Sequence, residues 1–360
     1  MENKKGQFVI GGGQREYYLS EFALAENNAG NKARVDAASI FEKNGIREFV
    51  CRKLPPKSGE SAFYKIRRYF DLKSGMKRME NLSGARIYVQ YPIKVTERMM
   101  PSYKKMIEKN QLIYLVHDIE SIRMAKGKQE IEAEISKLNM ADIVILHNHR
   151  MIKCLEEKGL QSKPVDLKIF DYLKETVDEQ PHDVKKCSVA FAGNLDKSNF
   201  LPEWISMPRQ YKLELYGLLS QENLDTYQKY NDLTYHGSLL PDEISKKIEG
   251  SFGLVWDGTS VETCDGNFGE YLKLNNPHKC SLYLAAGMPV IVWSESALAD
   301  FVKERGVGVC VESLRDIDKV FNNMSGDEYH KILINVKKMQ KLIVNGSILT
   351  DCINTIRSAE

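Results

Sequence analysis

The sequence has no cysteine pair at CxxC spacing, no long apolar run and almost no net charge, and each lack removes a class of protein. Its seven cysteines, at positions 51, 154, 187, 264, 280, 310 and 352, are odd in number and scattered. A disulfide framework and a zinc knuckle therefore drop out, and the thiols read as reduced and structural. The longest weakly polar run, Ser281 to Trp293, spans 13 residues and is interrupted by Gly287 and Pro289, against the roughly 20 apolar residues a spanning helix needs. The start of the chain, MENKKGQFVIGGG, lacks the apolar stretch and small-residue cleavage site of a secretory leader, so the expected location is the cytoplasm. Lys plus Arg at 51 against Asp plus Glu at 49 leaves +2. Such a balance gives no global field for a polyanion, and nucleic acid is not expected as a partner. Neither a repeat at 20 to 50 residues nor a low-complexity tract is present, which excludes solenoids.

What is present is a large globular chain. Hydrophobic residues at 42% and charged residues at 28% over 360 residues suit two domains, because single cores stop growing near about 250 to 300 residues. Strand-length apolar runs recur at Tyr17–Leu24, Glu48–Arg52, Arg86–Tyr91, Gln111–Ile119, Asp142–Leu146 and Leu167–Tyr172, mostly separated by helix-length segments. After a polar stretch, Lys174–Lys186, the pattern restarts at Ser188–Gly193, Lys212–Tyr216, Leu233–His236, Phe252–Trp256, Pro289–Trp293 and Gly308–Val311. Strands alternating with helices predict parallel α/β sheets. The expected architecture is thus α/β, with two Rossmann-like domains over residues 1–175 and 186–342 facing a central cleft. An amphipathic C-terminal segment from Ile343 could pack back on the first domain. Ligands of open α/β sheets bind beyond the carboxyl ends of the strands, so function is sought in that cleft.

Asp257–Asn276 joins a strand to a helix with 20 residues, where about 2 to 6 are usual, and reads as a functional loop. The next helix has Asn276 as its expected N-cap, Pro277 in its first position and Lys279 in its first turn. Free N–H groups, the helix dipole and an ammonium together make an anion site suited to a nucleotide diphosphate. The plainer reading is an ordinary Asn-Pro helix start with a solvated lysine. Gly193 and Asn194 end the first strand of the second half, where glycine permits close ligand approach and the amide can donate. Tyr216, before Gly217, either stacks on a base or is a half-buried strand residue. In the first half, His117 and Asp118 stand at a strand's carboxyl end as candidate proton acceptors, one of the pair facing the cleft. Asn28, Gly30 and Asn31 fill the first strand-to-helix loop and are candidates for acceptor contacts.

Three further signals carry less. Gly11-Gly12-Gly13 lacks the last glycine of a dinucleotide fingerprint, and His147-Asn148-His149 lacks the rest of a metal-ligand set. Met99-Met100 with the basic run Tyr103–Lys109 reads as a solvated helix.

The stretch WDGTSVETCDGNFGEYLKLNNPHK (256–279), followed by SLYLAAGMPVIVW and ALADF, closely resembles bacterial β-1,6-galactofuranosyltransferases of O-antigen assembly. The resemblance extends to IFDYL (169–173), AGNL (192–195), HDI from His117 with Arg123, and NNAGNKARVDA (27–37). It covers nearly all of the chain after residue 15. A weaker similarity, through FGLVW, LAAGMPVIV and the AGN turn, joins the chain to streptococcal glucosyltransferases that extend glycans on serine-rich adhesins. The resemblance implies a GT-B fold, a UDP-sugar donor held by the second domain and a glycan or lipid-linked acceptor held by the first. It places Asn194, Lys197, Tyr216 and Lys279 on the nucleotide, with Asn276 shaping the phosphate site. No metal or cofactor beyond the donor substrate is implied. The expected reaction is inverting transfer of galactofuranose to a sugar hydroxyl, with Asp118 or His117 as base. Transfer of glucose, or a noncatalytic glycan-binding role, are the alternatives. Peripheral membrane contact and a homo-oligomer are compatible with this reading. Departures from the resemblance are the arm through Gly13 and the charged segment Met124–Glu134.

Overall fold

The computed structural model describes residues 15–20, 32–55, 57–93, 97–174 and 187–359. The first sheet is built from β1 (Arg15–Ser20), β2 (Arg47–Val50), β3 (Ala85–Tyr91), β4 (Gln111–Val116), β5 (Ile143–Leu146) and β6 (Lys163–Asp166), in the order β2-β1-β3-β4-β5-β6. The second is built from β7 (Ser188–Asn194), β8 (Lys212–Leu218), β9 (Leu233–Tyr235), β10 (Phe252–Val255), β11 (Val290–Trp293) and β12 (Gly308–Val311), in the order β12-β11-β10-β7-β8-β9. Every pairing is parallel.

The central strands are buried on both faces: Leu112, Ile113, Tyr114, Leu115 and Val116 are all core residues. Helices cover both sides of a parallel sheet, so such strands need apolar residues at every position rather than at alternate ones. Each sheet accordingly separates two apolar clusters.

Eleven of the expected strands are found, Gly308–Val311 with the expected bounds and most others with shifted ends, while residues 21–24 of the expected Tyr17–Leu24 lie outside the described residues; the expected strand Leu167–Tyr172 is not found. The sixth strand is instead β6, KPVD, paired in register with β5. It escapes a hydrophobicity reading because it is an edge strand, the place where Pro164 is tolerated. The apolar run after it is irregular backbone. The Lys168 N–H bonds back to the Asp166 carboxylate, and Lys168 takes φ +68. Its side chains are buried in two directions: Phe170 joins a cluster of the first sheet, Ile169 and Tyr172 one of the second.

The helix Met100–Ile107 is also less solvated than its lysines suggest, since Met99, Tyr103 and Met106 are fully buried. The C-terminal segment is two helices, Gly326–Asn345 and Ser347–Ser358, broken at Gly346. Gly346 has φ +78, and a Cβ there would lie 2.6 Å from Ile40, so only glycine fits the corner. Beyond it Leu349, Ile353 and Ile356 pack on the first sheet. Two anchors hold this return: the Ile348 and Leu349 N–H groups donate to Asp171, and Arg357 pairs with Glu16.

Candidate functional site

The carboxyl ends of the two sheets meet across a seam, and two cavities there share Lys279 as a lining residue. The first, of about 140 Å³, is bounded by Asp118 and Arg123 from the first half and by Trp256, Asp257, Asn275 and Lys279 from the second. The second, of about 330 Å³, is floored by Gly193, Asn194, Tyr216 and Gly217, with Lys279 and Tyr172 at its wall.

Lys279 lies in the first turn of the helix His278–Ala285. Its ammonium sits 4.4 Å from the centroid of the Phe191 ring, and a Cβ on Gly193 would come within 3.1 Å of it. Among the described residues no carboxylate pairs with it. Burial pushes its pKa down, and Asp257 opposes that shift from a distance. A poorly solvated cation at a helix start is an electrostatic site for an anion.

Asp118 faces the smaller cavity. Its carboxylate lies 3.4 Å from Arg123. Burial raises its pKa, partly countered by Arg123 and Arg34 and reinforced by Glu120. Two neighbouring atoms have no hydrogen-bond partner: the buried Arg123 Nε and Asn275 Oδ1. Neither buried atom is satisfied by protein, so the cavity offers both a donor and an acceptor to a polar ligand.

His117 lines neither cavity. Its Nε2 donates to Gln90 Oε1 at 2.7 Å, an amide oriented by its own bond to the Arg34 carbonyl, and its ring stacks on Phe170 at 5.6 Å. Burial and the charge of Arg34 hold the imidazole well below its ordinary pKa.

The expected cap at Asn276 is corrected by the structure. The N-cap position belongs to Pro277, and Asn276, 3% exposed, turns away from the helix into the seam. Its Nδ2 donates to the carbonyls of His147 (2.8 Å) and Lys168 (2.7 Å), and its Oδ1 accepts from Asn148 Nδ2 (2.8 Å). Its N–H donates to His147 Nδ1 (3.0 Å). The cap was expected because Asn-Pro is a local signature; the partners that outcompete it stand 108 to 129 residues away. His147 and Asn148, tempting as metal ligands, are used instead to fasten the halves.

Other bonds cross the same seam. The Ile119 N–H donates to the Tyr271 hydroxyl, Ser281 Oγ to the Phe170 carbonyl, and Arg150 pairs with Asp300. Tyr271 belongs to a helix, Gly266–Tyr271, inside the long loop, so that loop both edges the cavity and bridges the halves.

Gly193, Asn194, Tyr216 and Lys279 are thus brought together. Tyr216 is fully buried rather than half-buried. One ring face is covered by His236 at 4.4 Å and its hydroxyl accepts from the Glu249 N–H. Lys197 is not brought in: it is exposed, and its N–H is capped by Asn194 Oδ1. Asn28, Gly30, Asn31 and Gly11 to Gly13 lie outside the described residues. Sequence reasoning did not single out Asn275, Asp257 and Tyr172 as site residues: the first two lie in the 257–276 loop and the third in IFDYL, but only the assembled strand ends show that these members of the motifs line the cavities.

The families described as glucosyltransferase 3-like match this chain in two parts, the N-terminal domain over residues 16–169 and the C-terminal domain over residues 189–356. The β-1,6-galactofuranosyltransferase WbbI of Escherichia coli K12 is 31% identical over 94% of this chain and 98% of its own length. Glucosyltransferase 3 of Streptococcus gordonii is 29% identical over 71% of this chain and 74% of its own. Among solved structures, sucrose-phosphate synthase from Thermosynechococcus elongatus superposes with a TM-score of 0.59 at 12% identity, covering 96% of this chain and all of that one. The shared architecture is GT-B.

Proposed function

The chain belongs to the glucosyltransferase 3-like family of glycosyltransferases, and from that premise we propose that it moves galactofuranose from UDP-galactofuranose to a sugar hydroxyl of a polysaccharide or lipid-linked glycan. As a hexosyltransferase it needs two things from its cleft: a charge to steady the departing diphosphate and a base to take the acceptor proton.

The observation that carries the reading is that one cavity holds both. Lys279, unpaired and poorly hydrated, offers its ammonium to the diphosphate, with the uridine toward Gly193, Asn194 and Tyr216. Because this charge is preorganised, it need not be reoriented as negative charge grows on the leaving oxygen. Arg123 Nε and Asn275 Oδ1, both unsatisfied, suit the phosphate edge and a sugar hydroxyl. Asp118, with its pKa raised by burial, is a stronger base than a solvated aspartate and lines the same cavity as the ammonium. Attack from its side with departure toward Lys279 inverts the anomeric centre. Since protein cations occupy the diphosphate side, the reading requires no metal.

The galactofuranose donor is supported by the E. coli relative. The streptococcal relative favours UDP-glucose as the second reading. A donor competition in the presence of EDTA tests both points. Turnover with UDP-galactofuranose, unaffected by chelation and resistant to excess UDP-glucose, is the expected result. Turnover with UDP-glucose alone would replace the donor, and loss of activity in EDTA with recovery in manganese would overturn the metal-free mechanism.

A further inference from the structure

The helix Ala62–Glu80, which follows β2, shows solvent an apolar side. Gly75 and Met79 are buried, and Leu72 and Met76 pack partly against a first-sheet cluster. Phe63, Ile66 and Phe70, spaced three and four apart on the opposite side, are 70%, 55% and 65% exposed, with the exposed Tyr69 beside them. A surface helix of a globular protein normally places only polar residues there.

Around this stripe the charge is mostly positive. The helix carries Lys65, Arg67, Arg68, Lys73, Lys77 and Arg78 against Asp71 and Glu80. Arg68 is paired with Glu60, whereas Lys65, Arg67, Lys73 and Lys77 are exposed and meet no carboxylate among the described residues. Beside the helix opens a groove of about 430 Å³, bounded by Arg52, Lys65, Arg68 and Arg98, with Glu97 as its one acidic wall and Tyr69 at its rim.

We propose that this face docks on an anionic lipid surface, with Phe63, Ile66 and Phe70 at the acyl boundary and a headgroup phosphate in the basic groove. Two features select this occupant. An apolar stripe flanked by cations is the composition that lies in the plane of a bilayer interface. The charge complements a phosphate-bearing surface, whereas a neutral apolar partner would leave Lys65, Arg67, Lys73 and Lys77 without counter-charge. The helix also begins beyond the carboxyl end of β2, on the side of the sheet that meets the cleft. Phe63 and Ile66 therefore lie toward the cleft-facing end of the first half. Docking itself does not depend on which sugar is transferred.

The test is cosedimentation of the full chain with vesicles of phosphatidylcholine alone and of phosphatidylcholine with about a third phosphatidylglycerol. The protein is expected to bind the mixed vesicles and not the neutral ones, with affinity falling as salt rises. The pair Phe63→Ser with Phe70→Ser, and separately Lys73→Glu with Lys77→Glu, should each reduce binding by about tenfold or more. All four side chains are exposed, so melting temperature and turnover on a soluble acceptor should be retained. Absence of binding to the mixed vesicles overturns the proposal, as does equal binding by wild type and either double variant. Gel filtration showing self-association that the two serine substitutions abolish would assign the face to a second copy of the chain instead.

Discussion

Removing the Asn276 side chain tests whether this residue belongs to the ligand or to the frame. In Asn276→Ala the carbonyls of His147 and Lys168 lose the Nδ2 donor between them, and Asn148 Nδ2 keeps only the Leu274 carbonyl. The site is buried, so water does not readily replace these bonds. With a buried unsatisfied group costing roughly 1 to 3 kcal/mol, the two carbonyls and the weakened Asn148 amide give a loss of about 2 to 5 kcal/mol. Asn276→Asp should be at least as damaging, because it sets a carboxylate against the same two carbonyls. Urea unfolding followed by circular dichroism measures the stability, and isothermal titration with UDP at low denaturant measures the folded protein's affinity. A loss of at least about 2 kcal/mol with UDP affinity changed less than about threefold is expected. Stability within about 0.5 kcal/mol of wild type, combined with a tenfold loss of UDP affinity, would refute the argument and return Asn276 to the phosphate site.

Lys279→Ala should weaken UDP binding and lower turnover at saturating donor, each by about 1 to 3 kcal/mol, the scale of a charged hydrogen bond. The melting temperature should hold, since no carboxylate partner is lost; a folded variant with wild-type affinity and rate would make this helix start purely structural. Asp118→Asn should depress turnover far more than UDP affinity and remove the acid limb of the wild-type pH–rate profile, which the raised carboxyl pKa sets. An unchanged rate would take the role from Asp118 and move it to His117 or elsewhere. His147, pushed down to about 4 by burial from an ordinary 6.5, stays neutral while the unfolded chain takes up its proton. Its contribution to stability is therefore complete above about pH 6.5 and is lost as pH falls toward 4, by about 3 kcal/mol. Asp171, pushed up to about 7, acts with the opposite sign, because the folded state holds its proton. Unfolding at pH 7 and 4.5 should show a steeper acid loss in Asp171→Asn than in wild type, and a shallower one would reverse the assignment.

The parts of this fold legible in the sequence are those governed by neighbours in the chain. Parallel strands covered on both faces must be apolar throughout, so runs such as Leu112–Val116 announce themselves. Strand ends with Gly193 or Asp118 announce the cleft, because open sheets bind ligands there. The run Leu167–Tyr172 is equally apolar for another reason: its side chains divide between the cores of two sheets. Composition cannot separate a strand from a seam. Periodicity likewise shows that the helix Ala62–Glu80 has distinct faces but not that Phe63 and Phe70 lie on the outward one. Tyr216 looked available for stacking because His236, which covers it, comes from the neighbouring strand's end.

At Asn276 the local chemistry and the distant chemistry pull in different directions. Had it capped the helix, it would have helped form the anion site directly. Instead it fixes the helix start to His147 and Lys168 of the other half, two residues before the His278–Ala285 helix begins. Lys279 follows within the first turn, while Asp118 stands at the end of β4, whose Val116 carbonyl accepts from the other nitrogen of His147. The imidazole therefore links the strand that carries the carboxylate to the residue that anchors the ammonium. Base and leaving-group charge come from different sheets, and a misplacement of either by about 1 Å can cost two orders of magnitude in rate. A rigid, neutral and buried clasp at this point holds their separation without occupying the cavity between them.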